Sequence, residues 1–228
     1  MRRARFLLWV LAFVALAAGP ASATSVTVLL SGNWGTDPGD VVDNANVTDG
    51  SITTGGAFTV TLTYDDATPD IDPDPTSGGY LLPAATSSLS LTTGSYTFTL
   101  LASEGIIFGV GDSYFGQDDF GWFAENFTTS GPLPGGVSTG YGYMNPYLFD
   151  TTETAHSSDA LTGLPWSVAD YYSPNNGMYF LIAVNGAGAN KYIELSGNFT
   201  QFNVLPEPSL LVLTGIACAA LLATHRRG

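Results

Sequence analysis

Five aspartates, Asp65, Asp66, Asp70, Asp72 and Asp74, fall within ten residues, and Pro69, Pro73 and Pro75 stiffen the chain among them. Hard cations are held by clustered oxygens, and calcium accepts irregular loops that supply them. The spacing Asp70-x-Asp72-x-Asp74 matches the opening of a calcium loop, so these five carboxylates are candidate metal ligands and calcium is the candidate cofactor. An EF-hand is not formed: Pro73 and Pro75 replace its flexible positions, and its glycine and closing glutamate are missing. The alternative is a solvated acidic turn. Asp112, Asp118 and Asp119, around Gly111 and Gly116, make a second acidic group.

Other chemistry is scarce. His156 is the only histidine between residues 24 and 205, and the single cysteine, Cys218, lies in an apolar C-terminal run. That excludes disulfides, thiol catalysis and a two-histidine zinc site within this region. His156, between Ala155 and Ser157, reads as a solvated loop residue, so no catalytic residue is assigned and a non-enzymatic role is expected. A glycosidase needs only two carboxylates, but no spacing singles out a pair. Trp34 and Trp166 sit in segments containing Gly or Pro and are candidate platforms for stacking on sugar rings. Core packing is the competing reading for them, as it is for Trp122, Tyr143 and Tyr147.

The charge is concentrated. The whole chain carries −14, but of its six basic residues five lie at the ends, as does one of its twenty acidic ones. Lys191 is thus left against nineteen carboxylates between residues 24 and 205, a net charge of −18. Such a surface repels phosphate backbones and anionic membrane surfaces, which argues against nucleic acid as a partner. It favours solubility and divalent cations.

The elements that must position these groups are strands. Phe58, Val60, Leu62 and Tyr64 alternate with Thr59, Thr61 and Thr63, the period of a half-buried strand. Residues 95–100 and 193–199 repeat the pattern. The apolar runs 26–30, 105–110 and 178–184 read as strands buried on both faces, with a hairpin loop at 185–190. Long loops are expected at 65–79 and 128–141, and a short turn of helix at 159–164 before Pro165. With no sustained helical period, the predicted fold is all-β: an antiparallel β-sandwich, jelly-roll-like, over residues 24–205.

Both ends read as processing segments. Arg2, Arg3 and Arg5 precede a 13-residue apolar run from Phe6 to Ala18, then Gly19-Pro20 and Ala21-Ser22-Ala23. That order is a secretory signal peptide, residues 1–23, cut between Ala23 and Thr24 with Ala21 and Ala23 as its small residues. At the other end Pro206-Glu207-Pro208 is followed by 16 uncharged residues, 209–224, and then by Arg226 and Arg227. As a helix the uncharged run would measure about 24 Å, slightly under the hydrocarbon thickness. The arginines mark the cytoplasmic side, which places the domain outside.

This order of Pro-Glu-Pro, one apolar helix and a basic cluster resembles the sorting signal of PEP-CTERM proteins. The resemblance implies export across the inner membrane and recognition of residues 206–228 by exosortase, a membrane-embedded protease. Pro206, Glu207 and Pro208 would be the recognised motif, completed by Arg226 and Arg227. It further implies an envelope or extracellular-matrix location and association with exopolysaccharide. Thr63-Tyr64-Asp65-Asp66 is similar to a strand end found in β-rich domains of such proteins. A sortase tag would begin Leu205-Pro206-Glu207 but needs Thr-Gly where Pro208 and Ser209 stand. A plain single-pass anchor, and a secreted glycan-binding or carbohydrate-active protein using the same route, are the alternatives.

Overall fold

The computed structural model describes residues 25–114, 117–155, 160–161, 171 and 177–205. Among these, every helix or strand is a strand. In order they are β1 (Ser25–Trp34), β2 (Val41–Asp43), β3 (Ala57–Asp65), β4 (Ser77–Leu82), β5 (Ser88–Thr93) and β6 (Tyr96–Leu100). They continue with β7 (Ile106–Tyr114), β8 (Gln117–Glu125), β9 (Phe127–Ser130), β10 (Ser138–Asp150), β11 (Gly177–Asn185) and β12 (Tyr192–Leu205).

The period of two decides which way each strand faces. Phe58, Val60, Leu62 and Tyr64 of β3 are all buried. The intervening threonines point outward, where the Thr63 hydroxyl lies 3.1 Å from that of Thr27 on β1. Cross-strand threonine pairs of this kind suit the wet face of a sheet. Ile193, Leu195 and Phe199 of β12 are likewise buried.

All pairings are antiparallel, in the order β4-β7-β8-β10-β11-β12-β1-β3-β5-β6-β9, with β2 added beside β12. The ends of this path are tied together. β9 follows β8 after the single residue Asn126, so one run of chain pairs with β7 and β10 and then crosses to β6. Asn126 adopts φ 64°, a left-handed conformation that Asn tolerates better than most residues. Its N–H donates to the Gly142 carbonyl of β10 at 2.8 Å, and its carbonyl accepts from Leu101 N–H, just past β6, at 3.0 Å. The sheet therefore curls around one core. Rings from distant strands meet inside it: Tyr64 with Phe108 at 6.0 Å and Phe98 with Phe180 at 4.8 Å between centroids.

Three expectations need correction or narrowing. The apolar runs are not buried on both faces: Ile107 is 58% exposed between fully buried Ile106 and Phe108. Curling one sheet around one core leaves every strand an outer face. The 65–79 loop gives up its end to β4, and the 128–141 loop shrinks to 131–137 between β9 and β10. Of the helical turn expected at 159–164 only residues 160–161 are described, and neither is helical; the rest of it, the signal segment with Ala21, Ala23 and Thr24, and everything from Pro206 onward lie outside the described residues. Among the described residues no helix is long and apolar enough to cross a membrane.

Candidate functional site

The acidic loop turns its oxygens toward its own backbone. Asp70 Oδ1 accepts from the N–H groups of Asp72 and Gly79, both at 2.8 Å. Asp72 Oδ1 accepts from Asp74 N–H at 3.0 Å, and its Oδ2 from the Ser77 hydroxyl at 2.9 Å. Asp74 Oδ1 accepts from the N–H and hydroxyl of Thr76 at 2.9 and 2.8 Å. The N–H and hydroxyl of Thr76 hold the Asp74 carboxyl below its ordinary range. Asp65 Oδ1 takes the N–H of Ala67 at 2.9 Å. This is a series of Asx turns, each carboxylate capping a backbone group about two residues on. Among the described residues no three Asp, Glu, His or Cys side chains converge into a metal-holding group. The loop instead lies against the outer edge of β4, where Ile71 N–H donates to the Gly79 carbonyl at 2.8 Å. A sheet edge covered in this way, with prolines and charges over it, is protected from pairing with another chain.

The second acidic group is split by the strand period. Asp118 faces inward and is fully buried, whereas its neighbour Asp119 faces outward. Asp150, the register partner of Asp118, is also fully buried. Its oxygens accept from the N–H groups of Thr152, Thr154 and Ala155 and from both threonine hydroxyls, at 2.6 to 3.2 Å. Burial alone would push this carboxyl up; the hydrogen bonds win and lower it to about 2.

Trp34 is not a sugar platform. It is 1% exposed, stacked on Phe58 at 4.3 Å, and its indole N–H donates to Thr93 Oγ1 at 2.8 Å. Gly32, which made this segment look like surface, is a packing glycine: an added Cβ would collide with the Asn198 carbonyl and the Phe58 ring. Trp122 is buried too. Trp166 and His156 lie outside the described residues.

What sequence reading missed is a trough on the outer face of β4, β7, β8 and β10. Register places Gly79 opposite Gly109, Gly109 opposite Gly121, and Gly121 opposite Tyr147. Three glycines side by side leave a groove of about 410 Å³. One wall carries Ile107, and the other carries Asp119 and Phe149. Tyr147 closes the β10 end, its ring 5.9 Å from that of Phe149. Asp72 closes the β4 end, since an added Cβ at Gly79 would sit 3.3 Å from the Asp72 Cβ. The acidic loop thus supplies, through Asp72, the end wall of a groove. Burial pushes the Asp119 carboxyl up, against a hydrogen bond from Gln117.

Beyond the trough the outer face stays aromatic. Phe123 lies 5.8 Å from Tyr143, which lies 5.6 Å from Tyr179. The Tyr179 hydroxyl donates to Glu194 at 2.7 Å and is pushed up, first by burial and then by that carboxylate. The local signal for the trough was there, glycines in otherwise apolar strands, but only register shows that they adjoin. Comparison with known proteins adds no assignment: no protein-family model, curated protein or solved structure matches the chain.

Proposed function

We propose that the chain is a non-enzymatic envelope or matrix protein, exported by its N-terminal signal, sorted by an exosortase-type protease and associated with exopolysaccharide. Its curled sheet would be a sandwich of the jelly-roll kind, presenting its outer face to the matrix. The sorting half is carried by one observation, the order Pro206-Glu207-Pro208, uncharged run, Arg226-Arg227 at the C-terminus. The polysaccharide half is supported by the trough with Tyr147 and Phe149 along it. Replacing Pro206, Glu207 and Pro208 together by alanine should leave the full-length tail in the inner-membrane fraction of an exosortase-bearing host. Trimming at the same place in that variant would refute the sorting route.

A second reading, a secreted carbohydrate-active enzyme, is favoured by one feature. Asp119, whose carboxyl is raised by burial, shares the trough with Asp72. Release of dye from coloured polysaccharides, abolished by Asp119→Asn, would establish that reading over the first.

A further inference from the structure

The three floor glycines are not equivalent. At Gly121 an added Cβ would meet the Pro146 carbonyl oxygen at 2.6 Å, so the backbone of β10 demands a glycine there. At Gly79 the packing of Asp72 is already close. At Gly109 an added Cβ would meet nothing within 4 Å, and the residue is not in the left-handed region. A glycine in mid-strand is destabilising relative to alanine, and at 109 neither packing nor backbone shape requires it. What Gly109 preserves is the depth of the trough.

We infer that this trough binds a neutral saccharide chain laid across β4, β7 and β8, with a sugar ring against Tyr147. Its floor of bare backbone admits a flat ring to van der Waals contact. From Gly79 to Tyr147 it runs three strand spacings, about 14 Å, enough for a short run of sugar residues rather than one. Tyr147 has Gly121 and Gly177 as its register neighbours, so no side chain at its own row crowds the ring from either adjoining strand. Ile107 and Phe149 give the walls apolar area, as a sugar's C–H faces need.

The polar rim selects the ligand's hydrogen-bonding character. It offers the carboxylates of Asp72 and Asp119 and the Ser77 hydroxyl, which already donates to Asp72. These are acceptors, so the ligand must bring donors, and sugar hydroxyls do. An anionic polymer would meet two carboxylates with no counter-charge: Lys191, the one cation between residues 24 and 205, instead donates to the Asn44 carbonyl at 2.6 Å. This inference rests on the exopolysaccharide half of the reading above and not on the sorting half.

The test is affinity electrophoresis of the full chain in detergent, through gels holding laminarin, xylan, glucomannan or dextran, with alginate as the anionic polymer. At least one neutral polymer should retard the protein, and alginate should not. Gly109→Leu should weaken that retardation at least tenfold with no fall in melting temperature, because an added Cβ meets nothing within 4 Å there and a mid-strand glycine is itself destabilising. Tyr147→Ala should weaken it as well. The inference is overturned if no neutral polymer retards the chain, if alginate retards it more, or if Gly109→Leu runs as the parent does. Tail trimming, read separately on a blot, reports on sorting alone, so failure of one cannot be mistaken for failure of the other.

Discussion

Asp150 shows how a single buried carboxylate can organise a chain reversal. Five donors from residues 152–155 converge on its two oxygens as β10 ends, and each would otherwise seek water. Asp150→Ala should lower stability by about 2 kcal/mol, the scale of lost hydrogen bonds to a charged group. Asp150→Asn should recover part of that, since its amide oxygen replaces one acceptor while its NH₂ opposes the donors facing the other. The pH dependence has a definite sign. With the folded carboxyl lowered to about 2 from 3.8, its contribution is complete above pH 3.8 and is lost as pH falls toward 2. Thermal melts of the parent should therefore fall more steeply than those of Asp150→Asn between pH 4 and 2. Parallel curves would mean that Asp150 does not hold the turn. Trp34 carries the converse lesson, because a tryptophan beside a glycine invites a surface reading when the glycine exists to let two rings stack.

At the scale of elements, the acidic loop and the β8–β9 crossing do the shaping. If the aspartates of the loop serve as Asx caps, asparagine should replace them, since its side-chain oxygen forms the same turn. Asp70→Asn, Asp72→Asn and Asp74→Asn together should leave the melting temperature level or raised, whereas the three alanine replacements should lower it, because each leaves a backbone N–H uncapped. Equal loss in both sets would show that charge, not capping, is what the loop contributes. Much of the strand content was legible because side chains alternate with period two: residues 58–64 and 193–199 declare their inward faces directly. The crossing was not legible, because its whole signal is one asparagine between two apolar runs. Nor was the trough, whose residues 79, 109, 121 and 147 lie in four separate strands. Register is fixed by tertiary pairing, and local pattern does not encode which residues will stand opposite each other.

The whole molecule folds against its own charge. Nineteen carboxylates face one ammonium between residues 24 and 205, and that ammonium is spent on a backbone carbonyl. The acidic loop adds to the cost, since Asp70, Asp72 and Asp74 follow one another at alternate positions on an exposed edge. Raising salt from 0.1 to 1 M shortens the screening length from about 10 to about 3 Å and should relieve repulsion that acts across the surface. Sodium chloride should therefore raise the melting temperature progressively, the reverse of what a fold held by surface ion pairs would show. Calcium separates general screening from a site. With one oxygen of each of Asp70, Asp72 and Asp74 committed to backbone N–H groups, calcium's gain over sodium at equal ionic strength should be the same in the parent and in the three-asparagine variant. A calcium gain that vanishes in the variant would show that the ion can draw those oxygens away from the backbone into a ligand set, in which case the end wall of the trough would also be a cation site.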